Sequence, residues 1–356
     1  MDDETMRGLV AVVPPLLQSI EALNYVGRYM AAVDYGELVA AVGEPEAALR
    51  AALPRLEGWP ERLDGVRAAL ESAAQTTIAS FDALRAAPEG DDVMMAVFRA
   101  LRGGWKAQET LYPLVDLAPV SRFFTSPPLR QDAALAARLE AVDPRDDVGV
   151  FHAGGEPGAR GGFSAYVPET YSEDRDWPLV VALHGGSGDG RSFLWSWLRD
   201  ARSLGAILVA PSSIGRTWGL HAPEADSANL ARIVEEISRR WRIDPARRLM
   251  TGMSDGGTFS YVSGLDAGSP FTHLAPCSAS FHPMIAAMAD RDRIAGLPIH
   301  ITHGALDWMF DVAMAREASA ALTAAGAKVT YVEVPDLAHT YPREINPQVL
   351  AWLDGD

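Results

Sequence analysis

At 356 residues, 48% hydrophobic and 22% charged, the chain is long enough for two domains and a sizeable buried core. Its formal net charge of −16 argues against nucleic acid and anionic membrane as main partners. A single cysteine, Cys277, excludes an intrachain disulfide; with a Met-Asp-Asp-Glu start it leads us to expect a reducing, cytoplasmic setting, and no apolar run approaches the ~20 residues of a membrane span.

Residues 1–145 carry no convincing strand pattern and are expected to be all-helical. Pro14-Pro15 is expected to open a helix with Leu16, Ile20, Leu23 and Met30 on one face, because proline is tolerated in a first turn. Residues 45–56 repeat the pattern briefly with Leu49, Leu53 and Leu56. The clearest helix covers residues 60–87, where Leu63, Val66, Leu70, Ala73, Thr77, Phe81 and Leu84 form one apolar stripe. Two shorter helices fit residues 92–102 and 105–117, with Gly103-Gly104 as the break. This part has neither histidine nor cysteine, so it offers no chemistry of its own. We expect it to cap a site or to mediate homo-oligomerisation. Residues 118–128, with Phe123-Phe124, read as a linker whose rings could reach the mouth of a site, and residues 129–142 as a last helix.

From about residue 146 the pattern changes. Residues 148–152 and 162–167 read as a hairpin around a Gly-rich turn, and residues 178–183 and 206–210 as strands buried on both faces. Asp226 is expected to cap a helix ending near Trp241. Strands at residues 248–251, 298–302 and 328–334 follow, with apolar residues 271–277 between the first two. A helix over residues 312–325 lies between the last two, and a terminal helix starts near Pro347. Alternating strands and helices imply a doubly wound, mostly parallel sheet.

The chemistry centres on Gly252-Met253-Ser254-Asp255-Gly256-Gly257, where a strand turns into a helix through Gly-x-Ser-x-Gly. A serine hydroxyl needs a base to take its proton and a carboxylate to hold that base in the right tautomer. Asp307 stands just past the strand at 298–302, and His339 past the strand at 328–334, giving the order Ser254, Asp307, His339. Asp311 competes for the acid but lies farther from the strand end. His300 and His303, three apart on one strand, point to opposite faces, which disfavours a metal pair. His273 reads as a core residue; His152, His221 and His282 lack a carboxylate placed past a strand end. His184-Gly185-Gly186 leaves the strand at 178–183; the backbone N–H groups of Gly186 and Asp255, with Gly185 beside them, are the expected oxyanion hole. Trp195, Trp197 and Trp218 are candidates for the substrate wall.

Taken together, Val180-Val181-Ala182-Leu183-His184-Gly185-Gly186, Gly252 to Gly257, His303-Gly304-Ala305-Leu306-Asp307 and Ala338-His339 resemble the α/β-hydrolase superfamily. Within it they are similar to the phospholipase/carboxylesterase and acyl-thioesterase group, with some likeness to feruloyl esterases and polyhydroxyalkanoate depolymerases. The resemblance covers roughly residues 146–356, following a helical domain over residues 1–145 that is not part of it. It implies a serine carboxylesterase acting through an acyl-enzyme on small to medium apolar esters, without metal or cofactor. A thioesterase or an acylaminopeptidase gated by the N-terminal domain is the competing reading, and a non-catalytic interaction protein a third.

Overall fold

A computed structural model describes residues 3–31, 35–89 and 93–355. The chain forms two compact units, Met1–Asp132 and Ala133–Asp356. The division falls ahead of most of the helix expected over residues 129–142, which belongs with the second unit.

The first unit holds helices α1 (Asp3–Tyr29), α2 (Tyr35–Val42), α3 (Ala47–Ala52), α4 (Asp64–Ala86), α5 (Val93–Leu111) and α6 (Ala118–Phe123), and no strand among the described residues. The helix expected to start at Pro14-Pro15 starts at Asp3 instead, with both prolines inside it. The prolines remove two N–H donors, yet tertiary packing holds the turns before them. Val12 and Val13 are buried, and a Cβ on Gly8 would come 2.8 Å from the Trp59 ring. Contrary to the sequence reading, α1 is long and apolar enough, by length and composition alone, to cross a membrane. Its burial pattern is that of an amphipathic core helix: Leu16, Ile20, Leu23 and Val26 are buried, whereas Met6, Val10, Tyr25 and Tyr29 are exposed.

The stripe on α4 is buried at Leu70, Ala73, Thr77, Phe81 and Leu84. Gly103-Gly104 does not break a helix; α5 runs straight through both. A Cβ on Gly103 would lie 1.9 Å from Ser80 Oγ, and one on Gly104 3.5 Å from Leu23 Cβ. Gly103 therefore lets α5 approach α4 closely, and that packing outweighs the roughly 1 kcal/mol a glycine costs a helix, whereas a Cβ at Gly104 would make ordinary contact with α1. The start of the shorter helix expected at residue 92 lies outside the described residues. Phe123 and Phe124, read from the sequence as linker residues, are buried, and Phe124 stands edge-on to both Tyr112 and Phe123.

The second unit opens with α7 (Ala133–Glu140) and builds one sheet from β1 (Gly149–Ala153), β2 (Phe163–Val167), β3 (Trp177–Leu183), β4 (Ile207–Pro211), β5 (Ile243–Met253), β6 (His273–Cys277), β7 (Pro298–Gly304) and β8 (Lys328–Val334). The strand order is β1-β2-β4-β3-β5-β6-β7-β8. The β1–β2 and β2–β4 pairs are antiparallel, and all later pairs parallel. Every residue of β2, β3 and β4 is buried, as their continuous apolar runs require. Helices α8 (Gly190–Phe193), α9 (Leu198–Leu204), α10 (Glu224–Arg240), α11 (Asp255–Gly264), α12 (Pro283–Met288), α13 (Arg291–Ile294) and α14 (Val312–Ala324) make the connections, and α15 (Asn346–Asp354) follows β8. This mostly parallel sheet, wound on both faces and following an all-helical region, is the α/β-hydrolase architecture.

α10 begins at Glu224 rather than at a cap on Asp226. The buried Asp226 carboxylate instead accepts from the backbone N–H groups of Ile214 and Gly219, at 2.9 Å each, and so holds the loop after β4.

Candidate active site

β5 ends and α11 begins at Ser254, whose backbone sits at φ 55°, ψ −120°. A non-glycine residue in that region is strained by about 1–3 kcal/mol and persists only where its surroundings fix it. Here the neighbours do. Ser254 N–H donates to Cys277 O on β6 at 3.0 Å, and Thr258 N–H to Ser254 O at 2.8 Å. A Cβ on Gly252 would lie 2.5 Å from the Gly256 carbonyl carbon, and one on Gly256 2.4 Å from Leu183 O. Glycine at both positions is thus what allows the turn to close against β3.

Ser254 Oγ lies 3.0 Å from His339 Nε2, and His339 Nδ1 lies 2.9 and 3.0 Å from the two oxygens of Asp307. All three residues are buried. The Asp307 side chain also accepts from the backbone N–H groups of Met309 and Phe310, at 2.9 and 2.8 Å. Burial pushes its carboxyl upward, but the bond to His339 and the two N–H donors more than offset this, leaving it below the usual carboxylate range. A permanently ionised acid facing Nδ1 keeps the proton there and leaves Nε2 able to accept from Ser254.

Asp311, the rival acid, lies apart from this set. Its carboxylate accepts from Ala313 N–H at 2.8 Å and caps α14.

The loops bearing Asp307 and His339 are tied backbone to backbone. Leu306 N–H donates to Leu337 O at 3.0 Å, and a Cβ on Gly304 would come 2.1 Å from the same oxygen. Tyr341, two residues beyond His339, donates to Asn346 Oδ1, and Asn346 donates onward to Ser196 O at 2.9 Å and Asp200 Oδ2 at 3.0 Å. His303 Nε2 donates to Phe310 O at 2.8 Å and lies 3.4 Å from Asp307 Oδ2, bracing the acid's loop. Among the described residues no His, Cys, Asp and Glu group could hold a metal ion.

The loop after β3 crosses directly over the elbow. A Cβ on Gly185 would lie 3.6 Å from Ser254 Cβ, and one on Gly186 2.9 Å from Asp255 Oδ2. Asp255 is the first residue of α11, where an N–H has no acceptor within its own helix. Its carboxylate accepts from Thr217 Oγ1 at 2.6 Å, a contact the sequence reading did not foresee. His184 holds this loop from behind: Nδ1 donates to Gly185 O at 2.7 Å while Nε2 accepts from Ser213 N–H at 3.1 Å. Burial pushes the imidazole down to about 4, so the ring stays neutral and keeps that tautomer.

The three tryptophans expected at the substrate wall are all buried. Trp218 stacks on Phe259 with centroids 5.2 Å apart, leans on His184 at 5.0 Å, and donates its indole N–H to His184 O at 2.8 Å. It braces the loop expected to hold the oxyanion. Trp197 is 0% exposed and lies 6.4 Å, centroid to centroid, from Tyr341. Trp195 is buried as well, at 2% exposure. The aromatic that does face solvent beside the triad is Trp308, 46% exposed, with its ring 6.0 Å from that of His339. A bulky residue directly after the acid was the available signal for it.

Residues 224–353 match the family model described as Phospholipase/Carboxylesterase. The chain is similar to the bifunctional acetylxylan esterase/xylanase of Neocallimastix patriciarum, 24% identical over 156 residues, covering 43% of this chain and 22% of that protein. It is also similar to feruloyl esterase C of Emericella nidulans, 28% identical over 141 residues, covering 38% of this chain and 51% of that one. The chain thus spans about half or less of the length of these curated relatives. A solved structure of a thermostable esterase superposes with a TM-score of 0.48 at 21% identity, covering 59% of this chain and 63% of that one. The matched segment holds Ser254, Asp307 and His339, and with the mostly parallel sheet around them it makes this an α/β-hydrolase fold similar to the phospholipase/carboxylesterase family.

Proposed function

We propose that the protein is a serine carboxylesterase that cleaves carboxylic esters through an acyl-enzyme. The observation that carries this reading is the unbroken chain from Ser254 Oγ to His339 Nε2 at 3.0 Å and from His339 Nδ1 to Asp307 at 2.9 Å. In acylation, Ser254 Oγ bonds to the ester carbonyl carbon as its proton passes to His339 Nε2. The carbonyl oxygen becomes an oxyanion facing the N–H groups of Asp255 and Gly186. The carbon–alkoxy bond then breaks, and the Nε2 proton goes to the departing alcohol. Water repeats the sequence: it gives a proton to His339, attacks the acyl carbon, and releases the acid as Ser254 recovers its proton.

Small to medium apolar carboxylic esters are the proposed substrates, and the helical unit is proposed to act on selection or assembly, since every group used in the chemistry lies after residue 180. The ester reading stands ahead of the amide one. An ester's alkoxy group leaves more readily than an amine, and no acidic pair for a substrate amino terminus is identifiable in the sequence.

The test is covalent labelling by an organophosphonate, read by peptide mass mapping together with turnover of an activated acetate ester. Label should sit on Ser254. The Ser254→Ala variant should neither label nor turn over beyond a residual rate about 10⁴-fold or more below the parent. Label on another residue, or undiminished turnover in Ser254→Ala, would refute the assignment.

A further inference from the structure

The loop following β7 presents three large apolar side chains to solvent: Leu306 at 58%, Trp308 at 46% and Met309 at 46% exposed. They flank Asp307, one of the most enclosed groups in the protein, whose side chain has 0% exposure. The contrast is sharp over four consecutive residues. Scattered single apolar residues on a surface call for no explanation, but a run of three around a triad acid does.

The position of the run is fixed through His339. Trp308 stands at 68° to the His339 ring with centroids 6.0 Å apart, and the half-buried Phe310 at 88° and 5.3 Å. His339 itself is only 4% exposed. The imidazole is thus held among aromatic rings, and Trp308 is the one of these two that opens substantially to solvent.

Chemistry decides which part of a substrate meets that ring. His339 Nε2 lies against Ser254 Oγ, and the proton it takes must reach the oxygen of the departing alcohol. The alkoxy oxygen therefore sits within hydrogen-bond reach of Nε2. The carbonyl oxygen lies on the other side, toward Gly185, Gly186 and Asp255, where the loop after β3 crosses the elbow. A side chain bordering His339 on its solvent side borders the leaving group.

We propose that Trp308, supported by Leu306 and Met309, is a leaving-group platform that selects esters of apolar alcohols, alkyl or aryl, over esters of small polar ones. The inference rests on the esterase reading above. Trp308 acts by taking apolar area of the alcohol out of water before the carbon–oxygen bond breaks. The alcohol has departed once the acyl-enzyme forms, so the platform bears on acylation alone.

The test compares the full-length parent with Trp308→Ala and Trp308→Phe on two ester series. One varies the alcohol from ethyl to hexyl at constant acetyl; the other varies the acyl group from acetyl to hexanoyl at constant ethyl alcohol. Trp308→Ala should lower kcat/KM for hexyl acetate about tenfold more than for ethyl acetate, the cost of leaving roughly two methylenes in water. Trp308→Phe should restore most of that difference. The acyl series should show no comparable gradient, and hydrolysis of preformed acetyl-enzyme should proceed at the parent rate. An equal loss across the alcohol series would overturn the platform and make Trp308 a positioning residue for His339. A gradient in the acyl series instead would overturn the leaving-group assignment. Phosphonate labelling of Ser254 in each variant separates these results from failure to fold. If the parent itself does not label at Ser254, it is the esterase reading that fails.

Discussion

Replacing Asp307 with asparagine probes the triad with almost no change in volume. The amide oxygen of the new side chain can still accept from Met309 and Phe310, at the places where Oδ1 now receives 2.9 and 2.8 Å bonds, so the loop should keep its shape. The other oxygen, 2.9 Å from His339 Nδ1, becomes an NH₂ group. The NH₂ group donates where Oδ2 accepted, and the one oxygen left near Nδ1, at 3.0 Å, already takes two backbone N–H groups, so the balance moves toward the tautomer with its proton on Nε2, the nitrogen that must take one from Ser254. The enzyme then holds its base in the wrong tautomer. The expected loss is roughly 10³- to 10⁴-fold in kcat, about 4–5.5 kcal/mol of transition-state stabilisation. Asp311→Asn serves as the internal control. Asparagine caps a helix about as well as aspartate, so it should cost only a few tenths of a kcal/mol of stability. Initial rates on a saturating acetate ester, normalised to active sites titrated by phosphonate in the parent and to folded fraction by circular dichroism in the variants, give the comparison. An Asp307→Asn enzyme within tenfold of the parent, or a greater loss in Asp311→Asn, would refute the assignment of the acid.

Two further outcomes follow from other parts of the structure. His184 has its ionisation lowered from the ordinary 6.5 to about 4 by burial, so between those values the unfolded chain binds a proton that the folded one does not. Its contribution is fully present above pH 6.5 and declines as pH falls toward 4, by up to roughly 3 kcal/mol. Urea unfolding at pH 7 and pH 4.5 should show this loss in the parent and a smaller one in His184→Asn; parallel losses would exclude His184 as the source. In the helical unit, Gly103→Ala should destabilise by about 1–3 kcal/mol despite its better helix propensity, because its Cβ would meet Ser80 Oγ at 1.9 Å. Adding Ser80→Ala should recover part of that loss, and thermal unfolding that finds the single variant more stable than the parent would contradict the close packing of α4 and α5.

The elements that meet in the triad were legible because the chemistry and the fold impose local patterns. Gly252 to Gly256 announce an elbow, and Asp307 and His339 each follow a strand within a few residues. What the sequence did not reveal are contacts made at long range by residues whose local pattern has another reading. Asp226 looks like a cap and instead holds the loop after β4, because its carboxylate meets N–H groups twelve and seven residues away. Gly103-Gly104 looks like a break, since sequence alone does not show that Ser80 and Leu23 occupy the space beside them. Trp218 follows a strand, as a substrate-wall residue would, yet its indole points at the His184 carbonyl. Pattern fixes which strand end a residue follows; only packing decides whether it faces the substrate or supports what does.

The region expected to hold the oxyanion shows how that support is arranged. Trp218 donates to the His184 carbonyl, His184 donates to the Gly185 carbonyl, and Ser213 N–H holds the remaining ring nitrogen. Each bond consumes a group that could otherwise turn toward the site. A carbonyl oxygen directed at a developing oxyanion would repel it, so tying down the carbonyls of His184 and Gly185 matters as much as supplying N–H donors. Asp255 brings the same problem, since its carboxylate lies 2.9 Å from where a Gly186 Cβ would be. The 2.6 Å bond from Thr217 Oγ1 falls on that same oxygen, Oδ2, so a hydroxyl donor partly offsets its charge beside Gly186. Asp226 in turn holds that loop at Ile214 and Gly219, on either side of Thr217. The two aspartates thus have linked tasks: one orders the loop that supplies the hydroxyl, and the other accepts that hydroxyl at the foot of the elbow helix.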